Sequence, residues 1–501
     1  MESMSFVLFG ATGDLAKRKI FPALYNLYIE KKMPQSISIT GLGRGNLTNE
    51  DFRSHVKESL YTFSRRKPES DAELTDFLES FQYGQFDATQ PEDYKKLLKL
   101  VEKREQELGL AQNRMFYLSV APEFFDVIAF GIKESGLGSV SGWKRLVIEK
   151  PFGHDVKSAR ELNEKLSNAF EEEEIYRIDH YLGKSMVQNL DALEFANPIL
   201  HTLWNNHHIS NVQITASEVV GVEERAGYYD HTGAIRDMFQ NHMLQMLMMT
   251  AMHLPSTINA NNIREEKRKV MEAVRPLNID DVKHNVIRGQ YSAGELDGKK
   301  LPGYLDEPGI LETSKNDTFI AARLWIDNPF WKGVPFYIRT GKRMKEKATR
   351  IVIEFKNTSK ELYDKQKQQV SPNLLIIEIS PNENVTFQLN SKNPLKGGQI
   401  EPVQMNFLSE QKDVPEAYER LIGDALNGDS TFFAHWKEVE LAWEWVQPIL
   451  DAFRENKVPL HKYPAGSNGP AEAYALLEQS GFTWWLDPEE EEKESTLKLQ
   501  A

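Results

Sequence analysis

Two patterns of hydrophobic and polar positions alternate over the first 180 residues. Short apolar runs such as "SFVLFG" and "SISITGLG" are separated by stretches in which apolar residues recur every three or four positions, as in 91–108. The runs have the length of buried strands, and the periodic stretches are typical of amphipathic helices. Because strands and helices alternate, the pattern predicts an α/β domain with a parallel, doubly wound sheet.

From about residue 209 the pattern changes to apolar runs joined by turn-rich connections, such as "ISNVQITASEVV", "TRIVIEFK" and "NLLIIEISP". This spacing is typical of antiparallel strands. We therefore predict a larger α+β domain with a big, mainly antiparallel sheet. The predicted helices of this part are 233–253, 261–274, 413–426 and 430–454. The predicted domain limits are 1–180 and 181–488, followed by an acidic tail at 489–501 that lacks fixed structure because of its charge density.

The composition excludes several classes of protein. The chain has 501 residues and no cysteine, which rules out disulfides, thiolate catalysis and cysteine-ligated zinc. A formal net charge of −14 disfavours nucleic acid and anionic membranes as partners. The first residues lack the pattern of a signal peptide, and no uncharged apolar run is long enough to span a membrane. We therefore expect a cytoplasmic protein with a small-molecule ligand.

A glycine-rich turn follows the first predicted strand. "FVLFGATGDLAK" has small residues at the spacing G-x-x-G-x-x-A and opens a helix. Such a turn lets backbone N–H groups approach a pyrophosphate, which is typical of a Rossmann-like dinucleotide-binding domain. The alternative is a tight turn without a ligand. The candidate cofactor-binding residues of this turn are Gly10, Ala11, Thr12, Gly13, Asp14 and Leu15.

The second predicted strand ends in "ITGLGRGN", with Arg44 and no acidic residue. An acid at this point binds a free ribose 2′-OH, whereas arginine suits a 2′-phosphate. The sequence therefore favours NADP over NAD, with some use of NAD because Gly45 adds no hydroxyl group. The alternative for Arg44 is a solvated loop residue.

The stretch "RIDHYLGK" at 177–184 places charged, aromatic and glycine residues around a predicted strand end. If a helix begins near His180, then His180 and Lys184 lie one turn apart on one face and, with Tyr181, form a phosphate clamp. The alternative is a helix cap made by Asp179. Lys150, in "VIEKPFG", follows another predicted strand and would lie at the same edge of the sheet.

His242 lies in the apolar, methionine-rich helix "GAIRDMFQNHMLQMLMMTAM". A buried core histidine is one interpretation. A catalytic base is the other, because Asp179 is a carboxylate that could orient its ring. Asp237 is five residues earlier, about 140° around an ideal α-helix, so it would not share the face of His242. The cluster His201, His207 and His208 has no matching carboxylates, and we predict no metal site.

The motifs together resemble the glucose-6-phosphate dehydrogenase family over nearly the whole chain. They are "GATGDLAKRK", "VIEKPFG", "RIDHYLGK", "GAIRDMFQNH", "YIRTGKR" and "YPAGSNGP". The resemblance implies NADP-dependent oxidation of β-D-glucose 6-phosphate to 6-phosphoglucono-δ-lactone, the first step of the oxidative pentose phosphate pathway, by a homodimer or homotetramer. It also implies that His242 is the general base with Asp179 as its partner. The substrate-binding residues it implies are His180, Tyr181, Lys184, Glu218, Asp237, Lys342, Lys347 and Lys150, of which Lys150 also contacts the cofactor.

Two other functions compete with this one. The first is a sugar dehydrogenase of the glucose-fructose oxidoreductase type, which shares the glycine turn and a strand-end "EKP" but has no "RIDHYLGK" block. The second is a binding protein that senses NADP without catalysis. Such a protein would have no reason to keep Asp179 and His242 together.

Overall fold

The computed structural model of the protein describes residues 2–253, 255, 257–357, 363, 370–407 and 413–487. The chain forms two compact units, each built from three segments. Unit 1 comprises Met1–Asn189, Met252–Lys269 and Glu410–Glu444, and unit 2 comprises Leu190–Ala251, Val270–Ser409 and Trp445–Ala501. The predicted tail at 489–501 lies outside the described residues, and the predicted domain limits remain predictions. Among the helices that are described, none combines the length and the apolar character needed to cross a membrane.

Unit 1 is built on a six-stranded parallel sheet. Its strands are β1 (Met4–Phe9), β2 (Ile37–Gly43), β3 (Phe81–Gln85), β4 (Arg114–Leu118), β5 (Lys144–Glu149) and β6 (Ile175–Ile178). The strand order is β3-β2-β1-β4-β5-β6, and every neighbouring pair is parallel. All six residues of β1 are buried, as expected for a central strand covered on both faces. This confirms the predicted doubly wound sheet, whose order switches direction at β1.

The sheet of unit 2 has nine strands and is mainly antiparallel, as predicted. The strands of unit 2 are β7 (Ile209–Ser217), β8 (Val286–Ser292), β9 (Gly294–Leu296), β10 (Lys299–Leu301), β11 (Phe319–Trp325), β12 (Pro335–Gly341), β13 (Ala348–Phe355), β14 (Leu374–Ser380), β15 (Asn384–Asn393), β16 (Gln399–Phe407) and β17 (Leu460–Pro464). The order of the large sheet is β16-β15-β14-β13-β7-β12-β11-β8-β17, and β9 pairs with β10 separately. Only the β7/β12 and β8/β17 pairs are parallel in this described sheet.

The α-helices follow the periodic stretches of the sequence. They are α1 (Phe21–Ile29), α2 (Asn49–Phe63), α3 (Asp71–Glu79), α4 (Pro91–Leu108), α5 (Phe125–Glu134), α6 (Val156–Ser167), α7 (Ser185–Phe195), α8 (Pro198–Leu203), α9 (Ala226–Ala234), α10 (Leu244–Ala251), α11 (Ala260–Ala273), α12 (Ile279–Asn285), α13 (Ala417–Asn427), α14 (Trp436–Arg454) and α15 (Glu472–Glu478). Among the described residues, two segments are π-helical, Ala16–Ile20 before α1 and Ile235–Met243 before α10.

Two helices begin later than the sequence predicts. The start predicted at 413 is at Ala417, because a proline at 415 disfavours helical backbone in the residue before it. The start predicted at 430 is at Trp436, because Ala434 pairs with Arg177 in an isolated β-bridge and is held in extended backbone. A local effect of the proline therefore delays the first helix, whereas a tertiary contact of unit 1 overrides the periodicity at the second.

Candidate active site

Three separated motifs meet at the carboxyl edge of the unit 1 sheet. Gly10 follows β1, Lys150 follows β5, and Asp179 follows β6 directly. Because β1, β4, β5 and β6 are consecutive in the sheet, these residues lie along one edge. Ligands of doubly wound sheets bind outside this edge, next to the point where the strand order reverses.

The glycine turn between β1 and the first helix is fixed by close backbone contacts. Gly10 has φ +78°, and a Cβ atom there would lie 2.1 Å from the carbonyl oxygen of Ser119. The N–H groups of Gly10 and Ala11 both donate to the carbonyl oxygen of Leu42, at 3.1 and 2.9 Å. Gly13 N–H donates back to the carbonyl oxygen of Gly10 at 3.0 Å. The turn is therefore held tightly against β2 and β4, with a helix beginning directly after it.

The other predicted residues of the turn differ in exposure. Ala11 is buried, Leu15 is half-buried, and Thr12 and Asp14 are exposed. The carboxylate of Asp14 pairs with Arg18 at 2.6 Å. Only the exposed members of the turn can therefore offer side chains to a ligand, while Ala11 serves packing.

Arg44 is exposed directly after β2. Its carbonyl oxygen accepts from Gln85 Nε2 at 3.1 Å, and the carbonyl oxygen of Gly45 accepts from the Tyr83 hydroxyl at 2.7 Å. A Cβ atom on Gly45 would meet no atom within 4 Å, so the space beside Arg44 is open. An anchored backbone with an exposed guanidinium is suited to an anionic group of a dinucleotide, and these residues fit a cofactor of the NAD(P) type.

The segment after β6 is a tight turn and not the start of a helix. Asp179 Oδ1 accepts from the N–H of Tyr181 at 2.9 Å, and its carbonyl oxygen accepts from the N–H of Leu182 at 2.9 Å. The helix α7 begins only at Ser185. The prediction of a helix beginning near His180 is therefore wrong, because these hydrogen bonds of Asp179 close a turn first.

The turn nevertheless brings the three predicted phosphate ligands together. The rings of His180 and Tyr181 have centroids 5.0 Å apart, and the Lys184 ammonium lies 4.7 Å from the centroid of the Tyr181 ring. Tyr181 therefore contacts both the ionisable ring of His180 and the ammonium group of Lys184. We call His180, Tyr181 and Lys184 the cationic cluster.

Gly183 has a packing role within "RIDHYLGK". A Cβ atom there would lie 2.6 Å from the carbonyl oxygen of Ala417, at the start of α13, and 2.8 Å from the Leu421 side chain. We expect Gly183→Ala to lower the free energy of unfolding by about 1–3 kcal/mol, because a backbone oxygen cannot move aside as a side chain can. The measurement is the midpoint of chemical or thermal unfolding.

Gly45→Ala is the matched control for this substitution, since its new methyl group would meet open space. We expect it to leave the unfolding midpoint nearly unchanged. Equal midpoints for the two variants would contradict the packing role of Gly183.

Glu149, the last residue of β5, belongs to the same sheet edge and was not recognised from the sequence. Its two carboxylate oxygens accept from the hydroxyls of Tyr117 at 2.6 Å and of Tyr418 at 3.3 Å. Burial of the carboxyl group raises the pKa of Glu149 to about 7. The signal was present in "VIEKPFG", where an acid precedes Lys150, but its two tyrosine partners come from distant parts of the chain.

In unit 2, Glu218 and Lys342 form an ion pair. They follow β7 and β12, which are parallel neighbours with Ser217 opposite Gly341. The Lys342 ammonium lies 2.6 Å from Oε2 of Glu218, and the N–H of Glu218 donates to the carbonyl oxygen of Gly341 at 3.0 Å. The parallel register therefore explains why two residues 124 positions apart meet at one strand edge.

Tyr229 links this ion pair to Asp237. The Lys342 ammonium lies 5.1 Å from the centroid of its ring. Burial raises the pKa of Tyr229 well above its usual value, and the negative charges of Asp237 and Glu218 raise it further. Tyr229 is another residue that sequence reasoning missed, since nothing in "AGYYDHTG" separates it from its tyrosine neighbour.

Lys347 is exposed and directly precedes β13. Ala348 pairs with Ser217 in the antiparallel register of β13 and β7. Continuing that register by one residue sets the backbone of Lys347 beside that of Glu218. Its position is thus compatible with the same strand edge.

His242 is fully buried and lies in the π-helical segment, as does the buried Asp237. Hydrogen bonds of a π-helix link residues five apart, so these two residues are about one turn apart. The prediction that Asp237 cannot share the face of His242 is therefore wrong, because it assumed ideal α-helical geometry.

Asp317 holds the start of the π-helical segment. Its carboxylate accepts from the N–H of Ile235 at 2.9 Å, and its carbonyl oxygen accepts from the N–H of Ala234 at 3.0 Å. Burial raises the pKa of Asp317. The carboxylate and the carbonyl oxygen of Asp317 thus each satisfy one N–H group next to the sharp change of backbone at Gly233.

A doubly wound parallel sheet with a glycine turn at its switch point is typical of a dinucleotide-binding protein. Residues 7–189 match the family model "Glucose-6-phosphate dehydrogenase, NAD binding domain", and residues 191–485 match "Glucose-6-phosphate dehydrogenase, C-terminal domain". The chain belongs to the glucose-6-phosphate dehydrogenase family.

Relatives and solved structures of this family match over nearly the full chain. Glucose-6-phosphate 1-dehydrogenase of Bacillus subtilis is 47% identical over 96% of this chain and 97% of its own length. The enzyme of Leuconostoc mesenteroides is 40% identical over 95% of this chain and 97% of its own length. A glucose-6-phosphate dehydrogenase solved in complex with its substrate glucose 6-phosphate has a TM-score of 0.88 at 37% identity, covering 96% and 98% of the two chains. The enzyme from Mycobacterium avium has a TM-score of 0.82 at 30% identity, covering 97% and 100%.

Proposed function

We propose that the enzyme oxidises β-D-glucose 6-phosphate at C1 to 6-phosphoglucono-δ-lactone and prefers NADP as the cofactor. The observation that carries this proposal is the cationic cluster at the carboxyl end of β6, on the same sheet edge as Lys150 and the glycine turn. A dianionic phosphate needs such a cluster in a chain of net charge −14. The family relationship supports the same substrate.

The cofactor is held by the glycine turn and by Arg44. The turn brings backbone N–H groups and a helix N-terminus to the pyrophosphate, and the exposed guanidinium of Arg44 pairs with the ribose 2′-phosphate. The bound nicotinamide ring supplies the hydride acceptor for the oxidation. Lys150, at the end of β5, contacts both substrate and cofactor.

The substrate phosphate is held by charge-assisted hydrogen bonds from the cationic cluster. Lys184 donates from its ammonium, His180 from its ring and Tyr181 from its hydroxyl. The sugar hydroxyls bind the polar residues of unit 2, namely Glu218, Asp237, Lys342 and Lys347. Of these, the close pair of Glu218 and Lys342 offers one acceptor and one donor to neighbouring hydroxyls.

His242 is the general base. It removes the proton of the C1 hydroxyl as the carbonyl of the lactone forms, and the carboxylate of Asp179 accepts from its other ring nitrogen and stabilises the imidazolium. One oxygen of Asp179 is already fixed by the N–H of Tyr181, which supports a rigid orientation of the carboxylate. The same short turn therefore fixes both the carboxylate of Asp179 and the backbone of the cationic cluster.

The test is to mix the purified protein with glucose 6-phosphate and NADP and to follow the absorbance of the reduced nicotinamide. Rapid reduction with glucose 6-phosphate and slow reduction with glucose would support the proposal. Equal rates with both sugars would favour an oxidoreductase of the glucose-fructose type, whose site needs no phosphate clamp. NADP binding without reduction would favour the sensing protein.

Arg44→Ala should weaken binding of NADP by about tenfold or more, because a charged hydrogen bond contributes about 1.5–3 kcal/mol. NAD lacks the 2′-phosphate, so its KM in the same variant should change little. Steady-state kinetics with both cofactors measure this, and NAD serves as the internal control. An equal rise in KM for NADP and for NAD would show that Arg44 does not contact the 2′-phosphate.

We also propose that the enzyme is cytoplasmic and forms a homodimer or homotetramer. The edge hairpin β15–β16 supports an oligomer, because Leu389, Val403, Met405 and Phe407 on it are 36–58% exposed. Sedimentation of the purified protein would test the oligomeric state, and a monomer at micromolar concentration would contradict the proposed oligomer.

A further inference from the structure

A short segment, residues 483–487, lies across one face of the nine-stranded sheet of unit 2. The side-chain amide of Gln213, on β7, donates to the carbonyl oxygen of Thr483 at 2.8 Å, and its Oε1 accepts from the N–H of Trp485 at 3.0 Å. The ring N–H of Trp485 donates to Glu354 of β13 at 2.8 Å. Side chains of two strands therefore fix the 483–487 segment to the sheet.

Asp487 joins two arginines of this sheet. Its Oδ2 accepts from Nη1 of Arg339, on β12, at 2.8 Å and from the hydroxyl of Tyr474 at 2.5 Å. Its Oδ1 accepts from Nη2 of Arg339 and, at 3.3 Å, from Nη2 of Arg350, on β13. Arg350 also pairs with Glu346 at 2.6 Å. One carboxylate thus bridges the side chains of β12 and β13, the two strands that flank β7.

The bridge lies in a largely buried place. Arg339 and Arg350 are 2% and 5% exposed, and the side chain of Asp487 is 11% exposed. Burial raises the pKa of Asp487, but the hydrogen bond from Arg339 and the charge of that guanidinium outweigh burial and hold the pKa below its usual value. Loss of one member of a buried ion pair leaves an uncompensated charge, so the strands that carry the arginines would have to shift to admit water.

The two arginines form a row with Thr215 of β7. Thr215 is directly opposite Arg339 in the parallel register of β7 and β12, and directly opposite Arg350 in the antiparallel register of β7 and β13. Directly opposite residues share one face of a sheet, and Arg339 Nε donates to the Thr215 hydroxyl at 3.2 Å. Three positions from this row, about 10 Å along each strand and toward the same edge, lie the proposed sugar-binding residues. They are Glu218, Lys342 and Lys347.

We propose that Asp487 is a positioning residue, whose carboxylate holds β12 and β13 at a fixed spacing on either side of β7 and so aligns the strand ends that bind the sugar. The inference rests on the proposed function for the sugar contacts of Glu218, Lys342 and Lys347. It adds a residue that touches neither substrate nor cofactor and that comes from a segment remote in the sequence from all three.

The first test is Asp487→Ala. The KM for glucose 6-phosphate should rise by about tenfold, because a small shift of the strand ends weakens several sugar contacts together. The KM for glucose should rise by the same factor, since the phosphate is held by the cationic cluster of unit 1. The KM for NADP should not change. Steady-state kinetics below the unfolding temperature of the variant measure all three constants.

A purely structural ion pair would give a different result. Partial unfolding lowers the concentration of active enzyme, so the apparent kcat would fall while every KM stayed the same. That result, or an equal rise in KM for NADP, would overturn the proposal. Asp280→Ala is the matched control, because Asp280 pairs with Lys283 at 2.8 Å on α12 and its side chain is 81% exposed. It should leave the three constants unchanged.

Asp487→Asn keeps the shape of the side chain and one acceptor oxygen, so this variant should fold even if Asp487→Ala does not. It loses the charge, which roughly halves the strength of the bonds from the arginines. The KM for both sugars should therefore rise by a smaller factor, about threefold. An unchanged KM in this variant would overturn the proposal.

Hydrogen exchange of the protein without ligands gives a readout that needs no turnover. The N–H of Glu218 donates to the carbonyl oxygen of Gly341 at 3.0 Å, and the N–H of Lys342 donates to that of Thr318 at 2.9 Å. Both amides should exchange faster in Asp487→Asn, by about tenfold, whereas the amides of β1 in unit 1 should keep their rates. Unchanged exchange at both amides would overturn the proposal. Lack of turnover by the unaltered enzyme, with faster exchange in the variant, would instead overturn the proposed function.

Discussion

Replacing His242 by Asn should lower kcat by about 10²- to 10⁴-fold, the range that a positioned general base contributes. Asn keeps a polar side chain of similar size in a fully buried position, so the helix should remain folded. The KM for glucose 6-phosphate should change little, because the phosphate is held elsewhere. Steady-state kinetics with glucose 6-phosphate and NADP measure both constants.

His201→Asn is the matched control, since His201 is an exposed histidine of unit 2 on α8. It should leave both constants unchanged. A variant His242→Asn that loses affinity but keeps kcat would contradict the role of base.

The pairing of His242 with Asp179 can be tested by a double-mutant cycle. If the carboxylate acts only through the imidazole, Asp179→Asn in the His242→Asn background should cost little more than His242→Asn alone. If the losses of kcat in the two single variants multiplied in the double variant, Asp179 would act independently of His242, for example by fixing the turn at Tyr181.

The fold of unit 1 follows closely from the pattern of the sequence. Short apolar runs followed by periodic stretches predict parallel strands with crossover helices, and the six-stranded sheet has this form. The turn-rich connections between the apolar runs of the later part predict a mainly antiparallel sheet, which the structure also has. The parallel pairs β7/β12 and β8/β17 were not predictable, because strand neighbours far apart in the chain leave no local signal.

The candidate site was predictable where chemistry and strand ends coincide, as at Gly10, Lys150 and Asp179. It was not predictable where local geometry departs from the common elements. The π-helical segment changes the relation of Asp237 to His242, and the turn closed by Asp179 replaces a predicted helix start. Glu149 was missed for a further reason, since its partners Tyr117 and Tyr418 are brought to it only by the tertiary fold.

Replacing Lys184 by Ala should raise the KM for glucose 6-phosphate by about 10- to 100-fold, since a charged hydrogen bond contributes about 1.5–3 kcal/mol of binding. The Lys184 ammonium is anchored over the ring of Tyr181, so it reaches the phosphate already ordered and its loss removes a positioned charge. Unphosphorylated glucose has no partner for this charge, and its kcat/KM should be the same in the variant and the unaltered enzyme.

Lys157→Ala is the matched control for this variant, because its side chain is 86% exposed on α6 and its partner Glu161 lies 3.8 Å away. It should change neither substrate's constants. If Lys184→Ala raised the KM for glucose and for glucose 6-phosphate by the same factor, the ammonium would contact the sugar or stabilise the fold and would not bind the phosphate. The cationic cluster would then not be the phosphate site, and the observation that carries the proposed function would be lost.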